Sequence, residues 1–438
     1  MLMRAAALPT APTSGGTVIR LVAAVAVALV GSRIFVGGGA TIGNAVALLL
    51  LPLWLPVWSR YRGGRVFAIT GLVAAAAGLW LSDFSSADHS VSPAGALSDI
   101  VMLLGAIAAV GVLLWSRDLL PVWLIGTLYG GGMLTTSVLA GELTQANAWK
   151  FGLGFPLTVI VLSLLSRPGL RRFEAVALLA FAAAAVATDS RYRFATLMIA
   201  AVLIIWELVP SSRSRRVSTL TMLGAVSIIV VLTYNLATTL LIDGYLGEQA
   251  QTRTISQIEL SGSLIAGGRP ELAASVALFQ DHPWGFGVGV SPNLHDVLVA
   301  KTGMAGIGYQ PNNGYVENYL FGRGFELHSV AGDLWASFGL PGLAFVIVCV
   351  VLTLHSIGRQ LGERAATGLV LVLGISTLWN ALFSPIYGSL STLVLTIGLG
   401  ALAKDMGRHE DAWGGPTTVA SLPRGSRSGS MSPFTKLQ

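Results

Sequence analysis

The sequence predicts an all-α polytopic membrane protein of about twelve transmembrane helices, with one long extracytoplasmic loop containing short helices. Three observations carry that expectation. The 438-residue chain is 53% hydrophobic and only 11% charged, with a mean hydropathy of +0.72, far from the roughly one-quarter charged content of water-soluble domains. Apolar runs near the ~20 residues needed to cross a bilayer recur along it. Arginines punctuate alternate connections between those runs, as short cytoplasmic loops do.

The runs begin near residues 18, 41, 65, 97, 120, 151, 173, 194, 219, 330, 366 and 386. An even number of crossings puts both termini on one side. One set of connections holds Arg60, Arg62, Arg65, Arg117, Arg167, Arg171, Arg172, Arg213, Arg215, Arg216, Arg359 and Arg364, whereas the short connections of the other set hold only Arg33, Lys150, Arg191 and Arg193. The richer set marks the cytoplasm. Residues 1–17 are then a cytoplasmic N-terminus, 18–242 contain transmembrane helices 1–9, and 243–329 form the extracytoplasmic loop. Helices 10–12 occupy 330–403, and 404–438, rich in Gly, Ser and Pro, is expected to be a disordered cytoplasmic tail. Many apolar runs follow the first, which reads as a retained span rather than a cleaved signal.

The charge balance, 27 Lys and Arg against 21 Asp and Glu, is dispersed between apolar runs, which argues against a nucleic-acid partner. Cys349 is the single cysteine, so neither an intrachain disulfide nor a thiolate metal site is available. A loop as long as 243–329 is unusual unless it folds. Arg269-Pro270-Glu271 reads as a helix start, with Leu272, Val276 and Phe279 as its apolar stripe and its end before Pro283.

Three polar groups fall on the expected outer side. Asp189-Ser190-Arg191-Tyr192-Arg193 is wedged between two apolar runs, where an arginine must snorkel to headgroups or face a polar cavity. Arg269 beside a helix N-terminus could bind an anion, because free N–H groups and the positive dipole end add to its own donors, or it could be a solvated loop side chain. His328, directly before the run at 330, suits proton transfer near neutral pH, although a lone interfacial histidine is more often structural. Glu326 and Asp333 are two and five residues from His328, off its helical face, so no metal triad forms there. His89, His282 and His295 read as loop, turn or capping residues, and His355 and His409 fall on the cytoplasmic side. Gly285, Gly287 and Gly289 of Trp284-Gly285-Phe286-Gly287-Val288-Gly289 fit a tight turn or, less strongly, a phosphate-binding nest.

The order of these segments resembles the O-antigen ligase and Wzy-type polymerase superfamily. The resemblance rests on Ser190-Arg191, on Gly268-Arg269-Pro270-Glu271-Leu272, and on the stretch from Phe279 to Gly289. It continues with His328, Leu334 and Gly339-Leu340-Pro341-Gly342. It covers Ser190 to Gly342, and it departs from the family pattern at Ser329, where Asn is common, and at Pro270-Glu271-Leu272, where an aromatic residue commonly follows.

The resemblance implies a membrane glycosyltransferase moving a glycan from a polyprenyl-diphosphate carrier to an acceptor hydroxyl on the outer face of the cytoplasmic membrane. It implies that Arg191 and Arg269 hold the diphosphate, that Tyr192 and Arg193 join them in binding substrate, and that His328 assists proton loss. Catalytic His328, Arg269 and Arg191 would need no cofactor or metal. The partners implied are the lipid-diphosphate glycan donor, a glycan or glycolipid acceptor and membrane lipids. Repeat-unit polymerisation is the nearest alternative, and a transporter is the rival from another class. Glu207, the clearest carboxylate in a predicted span, lies near its cytoplasmic end, and the polar weight outside favours surface chemistry over transport.

Overall fold

The computed structural model describes residues 14–209, 218–245, 247–261, 267–322 and 324–405. The expectations for residues 1–13, for Arg213, Arg215 and Arg216, and for the tail from residue 406 lie outside these. Apolar segments without helix breakers satisfy their backbone groups internally, which in lipid leaves helix as the available form. Helices accordingly begin within about a turn of each predicted start: α1 (Ser14–Ser32), α2 (Ile42–Leu49), α3 (Leu51–Trp54), α4 (Gly64–Ser85), α5 (Pro93–Ser116), α6 (Val122–Leu139), α7 (Gly154–Leu165), α8 (Glu174–Ala187), α9 (Arg191–Leu208) and α10 (Thr219–Ile242). A short hairpin, β1 (Phe35–Gly37) with β2 (Ala40–Thr41), joins α1 to α2.

The expected twelve crossings exceed what length and composition support. Among the described residues five helices, α1, α4, α5, α6 and the one starting at Val330, are long and apolar enough to span, and the bent pair from Ile42 to Arg60 could make a sixth. The shortfall has physical causes. α8 has 14 residues, α9 carries Arg191, Arg193 and Glu207, and α7 follows a π-helical turn at Trp149–Leu153.

Between α10 and the Val330 helix lie α11 (Glu248–Ser261), α12 (Glu271–Asp281) and α13 (Leu294–Ala305). They are followed by α14 (Val330–Gly362), α15 (Gly368–Phe383) and α16 (Ile386–Leu395). Residues 271–336 have an apolar core of their own, built on Leu278, Phe286, Met304, Leu320, Leu327 and Trp335. The predicted stripe on α12 is corrected: Glu271, Ala274 and Leu278 are its buried face, while Val276 is 56% exposed and Phe279 37%. The face is chosen by α13, where Gly303 brings its backbone so near that a Cβ would stand 2.4 Å from the Ala273 carbonyl oxygen.

The Trp284–Gly289 turn is a seam between this segment and the bundle. A Cβ on Gly285 would lie 2.4 Å from the Trp335 carbonyl oxygen, one on Gly287 2.3 Å from the Ser82 nitrogen, and one on Gly289 2.4 Å from the Ala96 nitrogen. All three have positive φ, a region only glycine enters cheaply. The seam's amides are already bonded: Phe286 and Gly287 donate to the Ala336 carbonyl, Val288 to Gly78, and Gly289 to the Asp99 carboxylate. The turn reading therefore holds over the phosphate nest.

The antiparallel pair α9 and α15 defines two ends of the bundle. Near one, Tyr192 stacks on Trp379; at the other, Glu207 pairs with Arg171 and accepts from the Ala366 amide. Arg364 bonds the Val209 carbonyl at that same second end. Arg191, Arg193 and the start of α14 lie at the first end, because α14 runs antiparallel to α15 through the short turn at Glu363–Thr367.

Candidate active site

The turn from α8 into α9 is tight, with Asp189 in a left-handed conformation at φ 48°. Lys150 donates to the Asp189 carbonyl at 2.9 Å, and Asn147 to that of Thr188 at 2.8 Å. This fixes where α9 begins, and hence where Arg191, Tyr192 and Arg193 stand. The Arg191 Nη1 reaches Thr254 Oγ1 of α11 at 3.4 Å, and its Nε lies 3.7 Å from the Asp189 carboxylate. Tyr192 stacks on Trp379 of α15 with ring centroids 5.4 Å apart.

Trp379 also carries Arg269, whose guanidinium lies 6.0 Å from the centroid of its ring. Tyr192 and Arg269 are far apart in sequence, yet both meet Trp379. The expected anion site at the start of α12 has a competitor that the sequence reading did not weigh. Glu271 is buried and its carboxylate is 3.6 Å from Arg269. The Tyr319 hydroxyl titrates above its usual range through burial and then the Glu271 charge, with Arg269 pulling it the other way.

Tyr319 links this group to the histidine. It sits on the π-helical turn Val316–Leu320 and stacks on His328 at 4.0 Å between centroids. His328 has φ 54°, and its ring is held by an Nδ1 bond to the Glu326 carbonyl at 2.9 Å. A carbonyl only accepts, so Nδ1 carries the proton and neutral His328 presents the lone pair of Nε2. The next residue, Ser329, caps α14 and donates to the Ala381 carbonyl at 3.0 Å. Asp333, one turn further, accepts from the Leu327 amide at 2.6 Å and from that of Ile386 at 2.8 Å, tying the histidine segment to the start of α16. Trp379, Tyr319, Glu271 and Asp333 are thus the neighbours that sequence reasoning missed. Of these, the sequence pattern offers Asp333 only as a possible metal ligand and Glu271 only as part of a helix start.

His89, His282 and His295 do other things. His89 is buried, with Nδ1 2.7 Å from Asp88 and Nε2 3.0 Å from Asp296. It fastens the α4–α5 turn to the capping box of α13 formed by Asn293 and Asp296. Its hydrogen bond lowers the Asp88 carboxyl below the usual range. Asp281 accepts from His282 at 2.8 Å and from His295 at 2.9 Å. Among the described residues no group of three or more His, Cys, Asp or Glu is placed to hold a metal ion.

The fold and this cluster of cations, aromatic rings and a histidine at one end of the helices define a multi-pass membrane protein with a polar site at the helix ends. Residues 175–347 match the O-antigen ligase family model, a stretch that begins in α8 and ends in α14 and so contains Arg191, Arg269 and His328. The match supports the O-antigen ligase and Wzy superfamily, and with it a ligase- or polymerase-like function on glycans. Searches of curated proteins and of solved structures return no match.

Proposed function

We propose that the protein is an O-antigen ligase-like glycosyltransferase. It transfers a glycan from a polyprenyl-diphosphate carrier to an acceptor hydroxyl on the outer face of the cytoplasmic membrane. The observation carrying this reading is the state of His328: Nδ1 is committed to Glu326, which leaves Nε2 as a base, and Tyr319 connects it to the surroundings of Arg269. In this scheme Arg191 and Arg269 bind the diphosphate through charge-assisted hydrogen bonds and stabilise the charge that develops as it leaves. Nε2 takes the proton of the acceptor hydroxyl while its oxygen attacks the anomeric carbon. The carbon–diphosphate bond breaks as the new glycosidic bond forms, and a single displacement inverts that carbon. Arg269 would exchange part of its contact with Glu271 for the donor.

The test is transfer by purified protein from a polyprenyl-diphosphate glycan, with donor binding and thermal stability measured alongside. His328→Gln keeps size and hydrogen bonding but cannot serve as the base, and is expected to lower turnover by about 10² to 10⁴-fold with donor binding largely retained. Arg269→Lys keeps charge without the guanidinium fork and should retain part of the activity, with Arg269→Ala and Arg191→Ala retaining less. A folded His328→Gln protein with near wild-type turnover would remove the base role. Unchanged affinity and turnover in both arginine-to-alanine variants would remove the clamp.

A further inference from the structure

A second cationic feature lies beside the proposed clamp and apart from it. A cavity of ≈ 250 Å³ opens between α7, α9, α15 and α16, lined among others by Phe155, Tyr192, Arg193, Ser376, Asn380 and Gly388. Arg193 is mostly buried and is near the Phe155 ring at 6.0 Å. Its Nη1 is fully enclosed and has no hydrogen-bond partner among the described residues. Gly154 leaves room for it, since a Cβ there would stand 2.5 Å from Nη1. A largely buried guanidinium is costly unless something anionic meets it, and Arg193 borders the cavity as one of its lining residues. Tyr192 lines the cavity beside Arg193 and stacks on Trp379, whereas Arg269, over the Trp379 ring, does not line it.

We infer that this cavity is an anion subsite, taking one phosphate or carboxylate group carried by the acceptor rather than the donor diphosphate. The histidine segment is tied to one wall of the cavity through α15: Asn380 lines the cavity, and the carbonyl of the next residue, Ala381, accepts from Ser329. An acceptor anchored there by its charge would present a hydroxyl on the His328 side. Assigning the anion to the acceptor rests on the transfer reading above, whereas the subsite itself rests on Arg193 and the cavity.

The test uses full-length protein in phosphatidylcholine nanodiscs, with glucuronate and inorganic phosphate as anionic probes, glucose as the neutral control, and thermal stabilisation as the readout. The anions are expected to stabilise the wild type with saturation, glucose is not, and Arg193→Gln should weaken anion binding by about ten- to a hundred-fold. Gly388→Val is the second variant. A Cβ at Gly388 meets only Pro385, at 3.9 Å, so valine should obstruct the cavity without disturbing Arg193, and should also abolish the effect. The Arg191→Ala/Arg269→Ala double variant should still respond, and so should wild type saturated with farnesyl diphosphate. Loss of response in the double variant, or displacement by farnesyl diphosphate, would put the anion on the donor clamp and overturn the subsite while leaving the transfer reading intact. Equal responses in wild type, Arg193→Gln and Gly388→Val would overturn it as well. Phosphatidylglycerol in place of phosphatidylcholine tests a lipid headgroup: suppression of the glucuronate response would assign the subsite to lipid and overturn the acceptor assignment.

Discussion

Tyr319 distinguishes His328 from an ordinary interfacial histidine. Its ring covers one face of the imidazole at 4.0 Å while Glu326 fixes Nδ1, so two independent contacts set the direction of Nε2. An aromatic pair of this kind contributes about 0.5–1.5 kcal/mol beyond its buried area. Tyr319→Phe keeps the stack and should stay within a few-fold of wild-type turnover, whereas Tyr319→Ala should lose roughly ten-fold or more as the base loses orientation. Steady-state transfer rates at matched donor saturation check this, and equal rates for the two variants would disconnect Tyr319 from the histidine. The sequence shows His328 and Arg191 because each is a charged or titratable side chain at the edge of an apolar run, and Arg269 because it stands at a helix start. It does not show Tyr319 or Trp379. Their role comes from a π-helical turn and from the pairing of α9 with α15, which no local pattern encodes.

The elements explain why those residues hold their positions. The turn around Phe286 enters the bundle between α4, α5 and α14, and its glycines let backbone meet backbone. Gly339 answers them on α14, with φ 64° inside an otherwise helical span, and its Cβ would stand 2.5 Å from the Trp284 carbonyl oxygen. Gly287→Ala must therefore accept both a disfavoured φ of 112° and a clash with Ser82. Overpacking of this kind costs about 1–3 kcal/mol or more, so its melting temperature in detergent should fall by several degrees. Gly131→Ala, with nothing within 4 Å of the added carbon, is the control and should melt like wild type. A turn was legible from the glycines alone, but the seam was not, because its partners Ser82, Ala96 and Ala336 are distant in sequence. The α12 stripe failed for a related reason: helical periodicity gives the spacing of a buried face, and a neighbouring helix decides which face that is.

At the scale of the whole molecule, the apolar runs located the helices, while length and composition support five or six crossings among the described residues rather than the expected twelve. Hydropathy reports that a segment avoids water, and segments such as α8 or α15 can do so by packing among neighbours without being long enough to span alone. The charge alternation has a structural counterpart. Arg33 donates to the Tyr387 carbonyl at the start of α16, and Lys150 reaches Asp189 at the start of α9. Arg60 and Lys404 meet on Asp118, and Arg171 holds Glu207 at the end of α9. Which end faces the cytoplasm follows only from the positive-inside preference, and it is open to direct measurement. With buried Cys349 first replaced by alanine, single cysteines at the exposed positions Asn313 and Glu363 report the two faces. A membrane-impermeant thiol reagent applied to intact cells should label Asn313→Cys and leave Glu363→Cys unlabelled until the membrane is permeabilised. The reverse pattern would turn the protein over, and would place His328 and its arginines on the face where a glycan acceptor outside the membrane could not reach them.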